Sequence, residues 1–252
     1  MHIRSLLFSF LFLANSSVVF FVYLQTWSAD EKGFNMSATL LKVLMPMLLT
    51  GLKFTIQIAI MGIVFGFFIG SITGFVLQWK SKVLKFIAGV YIWVIRGTPL
   101  VVQALYMYFV IPQLFHTDMS NYTAGVIVIS LNSGAFIAEI VRGALQGVSL
   151  GQKEAGLSLG LSPKQTLFHV IVPPAFRSML PALCNHFIII VKDTALLSVI
   201  AVNEMTHEAQ NYASMSFNYI PTFTLLAAFY LALISILILL QKYVEKKMGA
   251  KK

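Results

Sequence analysis

The chain has 252 residues, of which 58% are hydrophobic and 11% charged, and its mean hydropathy is +0.83. Soluble domains carry about 25% charged residues, so this chain cannot cover a folded core with polar surface and requires a largely lipid environment. The composition excludes a soluble enzyme and a disordered chain, and the single cysteine, Cys184, excludes an intramolecular disulfide. The net charge of +9 comes from scattered basic residues without a basic face, so nucleic acid binding is not expected.

Six apolar stretches reach or approach the roughly 20 residues that a helix needs to span the hydrocarbon layer of a membrane. In chain order they are residues 5–25, 54–78, 97–115, 122–138, 182–202 and 219–241. The backbone of a spanning segment must satisfy its own hydrogen bonds, which a helix does. The sequence therefore predicts an all-α integral membrane protein, a multi-pass helical bundle of five core transmembrane helices plus one N-terminal helix.

Residues 1–30 contain the first stretch and are predicted to form an N-terminal membrane anchor helix. The alternative is a cleaved signal peptide, because Arg4 precedes the apolar run. A cleavage site at Ala29 would have Trp27 where a small residue is needed, so the uncleaved anchor is favoured. The other five stretches lie within residues 49–246, which no Pro-rich or Gly/Ser-rich linker divides and which we predict to be one membrane domain.

The distribution of Lys and Arg predicts the orientation of the chain, because short cytoplasmic loops carry the excess of positive charge. With both termini in the cytoplasm, thirteen of the 18 basic residues lie on the cytoplasmic side, and only Lys32 and Lys42 lie outside. The opposite orientation would place the thirteen cations outside. Both the N-terminus and the C-terminus are therefore predicted to be cytoplasmic.

Four glycines recur every four residues in the second stretch and form a bare stripe along one side of the predicted helix. They are Gly62, Gly66, Gly70 and Gly74. Small residues at this spacing allow the backbone of another helix to approach closely. The stripe predicts either static packing within one subunit, which we favour, or a moving contact between subunits.

The longest interval between spanning stretches covers residues 142–181 and faces the cytoplasm in the predicted orientation. Ser149 with Gln152, and Ser162 with Gln165, have the spacing of capping boxes, which mark helix starts. Two short helices are therefore predicted in this interval, one after each serine.

Gly160 is placed to end the first of these helices in a left-handed conformation, and the prolines that follow it are expected to interrupt or redirect the second. These are Pro173, Pro174 and Pro181. A compact helical pair that carries Glu154 among small residues suits contact with another protein. A loop that only connects two spans remains the alternative.

These residues resemble the coupling loop of bacterial ABC importer permeases. Glu154-Ala155-Gly156, Gly160 and Pro173 match its signature, with Gly156 in place of the second alanine. Four further motifs resemble the branch of this family that carries polar amino acids (histidine, glutamine, glutamate, arginine and opines). They are TGLKFT at residues 50–55, RGTPLVVQ at 96–103, AEIVR at 138–142 and KDTAL at 192–196.

The resemblance implies a type I ABC importer-like bundle in which residues 49–246 form the permease domain and residues 142–181 the cytoplasmic coupling loop. It implies pairing with a second permease copy or a paralogue, two cytosolic ABC ATPase subunits that hold the loop, and an external substrate-binding protein. The implied cargo is a polar amino acid, and the implied location is the bacterial cytoplasmic (inner) membrane. The chain has no Gly-x-x-x-x-Gly-Lys-Ser/Thr loop, so ATP is expected on the partner ATPase and no cofactor on this chain.

Ionisable residues inside a spanning helix cost about 2.5 to 3.5 kcal/mol at its centre and so indicate function. Lys192 and Asp193 fall midway along the fifth predicted span. Lys192 is suited to the carboxylate of a zwitterion and Asp193 to its ammonium. The predicted substrate path consists of Lys192, Asp193, Thr194, Asn132, Asn185 and Glu139. The alternative is a structural ion-pair network with Glu139 or a neighbouring subunit.

A break is predicted near the cytoplasmic mouth, because Pro99 disfavours helix in the residue before it. Arg96 and Pro99 are therefore a possible gate. No His, Cys or acidic cluster has metal-ligand spacing and no nucleophile motif is present, so neither a metal site nor a catalytic residue is expected. Two other functions remain open: an ion-coupled secondary amino acid transporter and a non-transporting membrane assembly subunit.

Overall fold

The computed structural model of the protein describes residues 32–247, and the side chains of residue 40 and residues 42–247. The predicted N-terminal anchor at residues 5–25 lies outside this part of the chain. The described helices are α1 (Lys32–Val76), α2 (Lys82–Gly97), α3 (Leu100–Phe115), α4 (Asn121–Gln146), α5 (Leu150–Ser158), α6 (Pro163–Ile200), α7 (Met205–Ser216) and α8 (Tyr219–Lys247).

Four of these helices, α1, α4, α6 and α8, are long and apolar enough to cross a membrane. Helices α2 and α3 form a fifth crossing if they are taken together, and they meet at an angle of 106°. The prediction of an all-α bundle with five core spans is confirmed. Helices α1 and α4 run parallel to each other, so both end at the same end of the bundle. Helix α5 lies at this end, and α6 begins there. We call this the α5 end and the opposite one the α7 end.

The predicted helix at residues 97–115 begins in the wrong place. Residues 82–97 are also helical, and Gly97 is the last residue of α2. Thr98 (φ −117°, ψ 143°) and Pro99 (φ −62°, ψ 140°) are extended, and they place the predicted break between α2 and α3. The predicted apolar stretch excludes the lysines at the start of α2. Long lysine side chains, however, can reach the membrane interface from the first turn of a membrane helix.

The connection between α4 and α6 is shorter than residues 142–181, since α4 continues to Gln146 and α6 begins at Pro163. The capping box at Ser162 is confirmed. The Gln165 amide N–H donates to the Ser162 hydroxyl (3.3 Å), and the Ser162 N–H donates to the Gln165 side chain (2.9 Å). The capping box at Ser149 is wrong, because the Ser149 side chain makes no capping hydrogen bond at the start of α5.

The prolines of α6 do not interrupt it. Residues Thr166–Ile171 form a π-helical turn just before Pro173 and Pro174, and the helix continues through Pro181. Proline cannot donate a backbone hydrogen bond, and its ring crowds the carbonyl four residues earlier. The wider π turn relieves this crowding without ending the helix.

The glycine stripe of α1 packs against α4 of the same chain. A Cβ atom on Gly66 would lie 2.5 Å from Ser133 Cβ, and one on Gly70 would lie 2.6 Å from Ile137 Cβ. Gly62 and Gly74 meet α4 in the same way one turn to either side. The stripe is covered within the subunit, so it offers no surface to a second subunit.

We expect Gly70→Ala to lower the free energy of unfolding by about 1 to 3 kcal/mol, because the added methyl overpacks the α1–α4 contact. Gly89→Ala in α2 is the matched control, since no atom lies within 4 Å of a Cβ built there. Thermal unfolding of the detergent-purified protein, followed by size-exclusion chromatography, measures both. Equal unfolding midpoints for the two variants would contradict the packing argument.

Candidate functional site

Helix α5 projects from the bundle, and all of its residues except Gly156 are at least partly exposed. Glu154 and Ala155 are both exposed, as the predicted contact with another protein requires. Leu150 is 73% exposed and Leu159, directly after the helix, 81%. An acidic residue among exposed leucines is typical of a surface that another protein covers.

Gly160 ends the turn that follows α5 with a φ of +78°, so the predicted left-handed position is confirmed. The Leu161 N–H donates to the Gly156 carbonyl (3.2 Å) and closes this turn. Gly156 itself lies against α6, where Thr166 and Val170 leave no room for a side chain. Pro173 follows shortly after this contact, in the first turn beyond the π-helical segment.

Helical spacing places Asn185, Ile189, Lys192 and Leu196 on one side of α6, and all four are exposed along that side. Helix α6 runs for 38 residues from Pro163 to Ile200, which is longer than one span needs, and Lys192 lies eight residues before its end at the α7 end.

The other residues of the predicted path face different ways. Asp193 and Asn132 are half-buried, whereas Thr194 is fully buried and donates its hydroxyl to the Val191 carbonyl (2.9 Å). Within the described residues neither Lys192 nor Asp193 forms an ion pair. A network between Lys192 and Glu139 therefore has no support within residues 32–247, and a network with a neighbouring subunit stays the alternative.

Glu139 instead pairs with two arginines. Its carboxylate accepts from Arg142 one turn along α4 (2.5 Å) and lies 3.9 Å from an Arg96 guanidinium nitrogen of α2. The Arg96 guanidinium also lies 5.1 Å from the centre of the Phe136 ring, a cation–π distance. Arg96 is thus attached to α4 immediately before the α2–α3 break.

Gln103 in α3 stabilises the same break. Its amide nitrogen donates to the Ile95 carbonyl (2.7 Å), the Thr98 carbonyl (3.0 Å) and the Thr98 hydroxyl (2.9 Å). In the sequence Gln103 stands only as the last residue of the RGTPLVVQ motif, which does not indicate this role. An amide that follows an X-Pro break by four residues is the local signal that could have indicated it.

A cavity of about 620 Å³ opens between α4 and α6 at the α5 end. Glu139 lies in its wall, together with Gly143 and Gly147 of α4, Gln152 of α5 and Ser178 of α6. The first turn of α5 and Glu139, the partner of Arg96, therefore border the same space.

Glu204, which belongs to none of the predicted motifs, is fully buried between α6 and α7. Its carboxylate caps α7 by accepting from the N–H groups of Thr206 (2.8 Å) and His207 (2.7 Å). The Tyr230 hydroxyl of α8 lies 3.2 Å from the same carboxylate. Glutamate is not a preferred N-cap residue, so the sequence carries little signal for this contact.

The cap also lies against α1. A Cβ on Gly51 would lie 2.7 Å from the Met205 Cα, and the Thr55 hydroxyl accepts from the Met205 N–H (3.3 Å). The residues of the TGLKFT motif thus have a structural role. They bring α1 onto the Glu204 cap and connect three helices at the α7 end.

Burial raises the pKa of Glu204 from 4.5 to about 7, although its hydrogen bonds oppose the shift. The folded protein therefore holds a proton between these values that the unfolded chain releases. The stability contributed by this group is fully present at low pH and is lost as pH rises through about 7.

We expect Glu204→Gln to remove this pH dependence, because the amide oxygen can still cap α7 without a charge. The wild-type protein should lose at most about 3 kcal/mol of stability through this group between pH 4.5 and pH 8. Chemical or thermal unfolding at a series of pH values measures it. The exposed Asp118→Asn is the control and should keep the wild-type profile. A Glu204→Gln profile as steep as the wild type would contradict the assignment.

The chain is similar to known transport proteins over most of its length. The family model of the binding-protein-dependent transport system inner membrane component matches residues 66–250. The glutamine transport system permease protein of Escherichia coli strain K12 is 41% identical over 204 residues, which cover 81% of this chain and 93% of that protein. The L-cystine transport system permease protein of Bacillus subtilis strain 168 is 36% identical, with 81% and 87% covered.

Solved structures share the fold. A crystal structure of an amino acid ABC transporter with histidines matches with a TM-score of 0.77 and 33% identity, covering 81% of this chain and 94% of that one. The inward-facing MetNI methionine ABC transporter matches with a TM-score of 0.68, but its 19% identity supports the fold alone. Because the family model covers well over half of the chain and these two relatives, at 41% and 36% identity, each match 81% of it, the chain belongs to the inner membrane components of binding-protein-dependent transport systems, as a permease subunit of the amino acid ABC transporter type.

Proposed function

We propose that this chain forms half of the transmembrane path of an ATP-driven importer that carries a polar amino acid across the membrane by alternating access. A second copy or a paralogue forms the other half, and two cytosolic ABC ATPase subunits hydrolyse ATP. The observation that carries the proposal is the exposed helix α5, which contacts a continuous α6 that leads to Lys192.

The α5 end is assigned to the cytoplasm. Lys80, Lys82 and Lys85 lie at this end, as does Lys153 of α5, whereas Glu204 lies at the α7 end. The excess of lysine supports a cytoplasmic α5 end by the positive-inside rule. The ATPases then meet α5, and the external substrate-binding protein docks at the α7 end.

Helix α5 is the proposed contact with the ATPase. Glu154 and Leu157 are both exposed on this nine-residue helix, so a cleft that receives α5 gains an ion pair as well as apolar contact. Since α5 is buried only at Gly156, a movement of the ATPase displaces α5 with little resistance from the rest of the bundle.

Substrate binding is assigned to the polar face of α6. Lys192 is exposed and without an ion pair in the described chain, so its ammonium can donate to the substrate carboxylate. The Asp193 carboxylate beside it can accept from the substrate ammonium or from a cationic side chain. Both contacts are charge-assisted hydrogen bonds. Asn132 and Asn185 add neutral amides, and Thr194, bonded to Val191, holds the backbone beside Asp193 in place.

The α2–α3 break is the proposed inner gate. Arg96 is fixed to Glu139 and Phe136 in this structure, and Pro99 keeps the chain extended where α3 begins. Both partners of the Arg96–Glu139 pair are partly exposed, so the pair contributes about 1 kcal/mol at most and can be broken during a transport cycle.

Reconstitution in proteoliposomes tests the function as a whole. The chain, its second permease subunit and its ATPase are combined, and ATP hydrolysis is followed while binding protein loaded with single amino acids is added. Hydrolysis and uptake that rise together for particular amino acids support the importer. Uptake driven by an ion gradient without ATP would favour a secondary transporter. Association of the subunits without any uptake would favour an assembly subunit.

We expect Lys192→Met to reduce uptake about tenfold or more, since a lost charge-assisted hydrogen bond costs about 1.5 to 3 kcal/mol. Copurification with the ATPase should be unchanged. Lys85→Met, an exposed lysine on α2, is the matched control and should keep wild-type uptake. Loss of the complex in Lys192→Met would instead indicate a structural role for this lysine.

Reversal of the charge in Glu154→Lys should abolish copurification of the ATPase, because the exposed carboxylate is the acidic contact of α5. The neighbouring Lys153→Glu changes charge on the same helix by the same amount in the opposite direction and should retain the complex. Copurification of a tagged ATPase from membranes measures both variants. An intact complex in Glu154→Lys would rule out this residue as the docking contact.

A further inference from the structure

Gly156 is the only buried residue of α5, and a single contact accounts for its burial. A Cβ on Gly156 would lie 2.8 Å from Thr166 Cγ2, 3.3 Å from Thr166 Oγ1 and 3.3 Å from Val170 Cγ2. Gly151 of the same helix has no atom within 4 Å of its own Cβ position. The backbone of α5 therefore touches α6 at Gly156, with room for nothing larger than hydrogen.

The hydroxyl of Thr166 is unusual among the threonines of this chain. Thr50, Thr73, Thr98 and Thr222 each donate to the carbonyl four residues earlier in their helix. Thr166 Oγ1 is buried and has no hydrogen-bond partner in the described part of the chain. A buried hydroxyl without a partner costs free energy, so the contact between α5 and α6 keeps an unsatisfied polar group at Thr166.

The segment of α6 that contacts Gly156 is also the least regular part of the cytoplasmic half of α6. Thr166 is the first residue of the π-helical turn Thr166–Ile171, and the helix beyond it is α-helical as far as Asp193. π-helical turns occur often at functional sites, because their hydrogen bonds can shift by one residue along the helix. From Thr166 to Lys192 the helix extends about 39 Å, so a displacement at Thr166 is passed on towards Lys192.

We propose that Gly156 and Thr166 form the joint through which a movement of α5 enters α6, and that Thr166 is a positioning residue for energy coupling. The methyl group of Thr166 fills the space that a side chain at position 156 would need. This explains why residue 156 is glycine, whereas the coupling-loop signature of ABC importer permeases has alanine at this position. The inference rests on the proposed function of α5 as the ATPase contact.

The test uses the complete transporter in proteoliposomes and measures amino acid uptake per ATP hydrolysed. Gly156→Ala should assemble with the ATPase, while uptake per ATP falls about tenfold. Gly89→Ala makes the same change in open space on α2, away from the ATPase contact, and should leave the ratio unchanged. Thr166→Ser in the Gly156→Ala background removes the methyl group 2.8 Å away, keeps the hydroxyl, and should restore most of the ratio.

A normal ratio in Gly156→Ala overturns the proposal, and so does a lowered ratio that Thr166→Ser fails to restore. If Gly156→Ala does not assemble, the Thr166→Ala variant tests the proposal instead, because it removes the α6 side chain that contacts Gly156. A lowered ratio in Thr166→Ala then supports the joint, and an unchanged ratio overturns it. Failure of the wild-type chain to bind the ATPase is a different result, which refutes the proposed function itself.

Discussion

The close approach of α1 to α4 is the contact on which the rest of the fold depends. Lipid supplies no hydrophobic force between helices, so association requires backbones to come near enough for dispersion and weak polar contacts to add up. The glycine stripe at Gly62, Gly66, Gly70 and Gly74 provides that proximity and makes α4 the central helix. Helices α2, α3 and α6 then pack around α4, and the buried cores at both ends of the bundle form on this pair.

Features set by local chemistry could be predicted from the sequence. The Ser162 capping box, the left-handed Gly160 and the break before Pro99 all depend on residues within a few positions of each other. The start of α2 could not be found by searching for charge-free stretches, because its lysines lie in the first turn of a membrane helix. The burial of Glu204 could not be predicted either, since Tyr230 and Thr55 reach it from helices distant in sequence.

The candidate site likewise contains features that local sequence indicates and contacts that only the fold brings together. Helical spacing puts Asn185 and Lys192 on one face of the helix, whereas the full length of α6, which begins nineteen residues before the apolar stretch 182–202, is not evident from that stretch alone. The family motif singled out Gly156, whereas its neighbour Thr166 belongs to no motif. That contact arises from the fold of the connection, in which the turn at Gly160 brings α5 back onto the start of α6.

Helix α6 is held at both ends by irregular backbone. At the α5 end it has the π-helical turn beneath Gly156, and at the α7 end its last seven residues tighten into the 3₁₀ segment Thr194–Ile200. The Asn121 side chain donates to the Ala201 carbonyl just beyond that segment and attaches it to α4. This hydrogen bond ties the far end of the helix to α4, so under the proposed coupling a displacement at Thr166 would not shift the whole helix along its axis. The 3₁₀ segment begins immediately after Asp193, and it is the part of the helix whose winding the proposed coupling would change, so that Lys192 and Asp193 would turn relative to α4 while the α7 end stays in place.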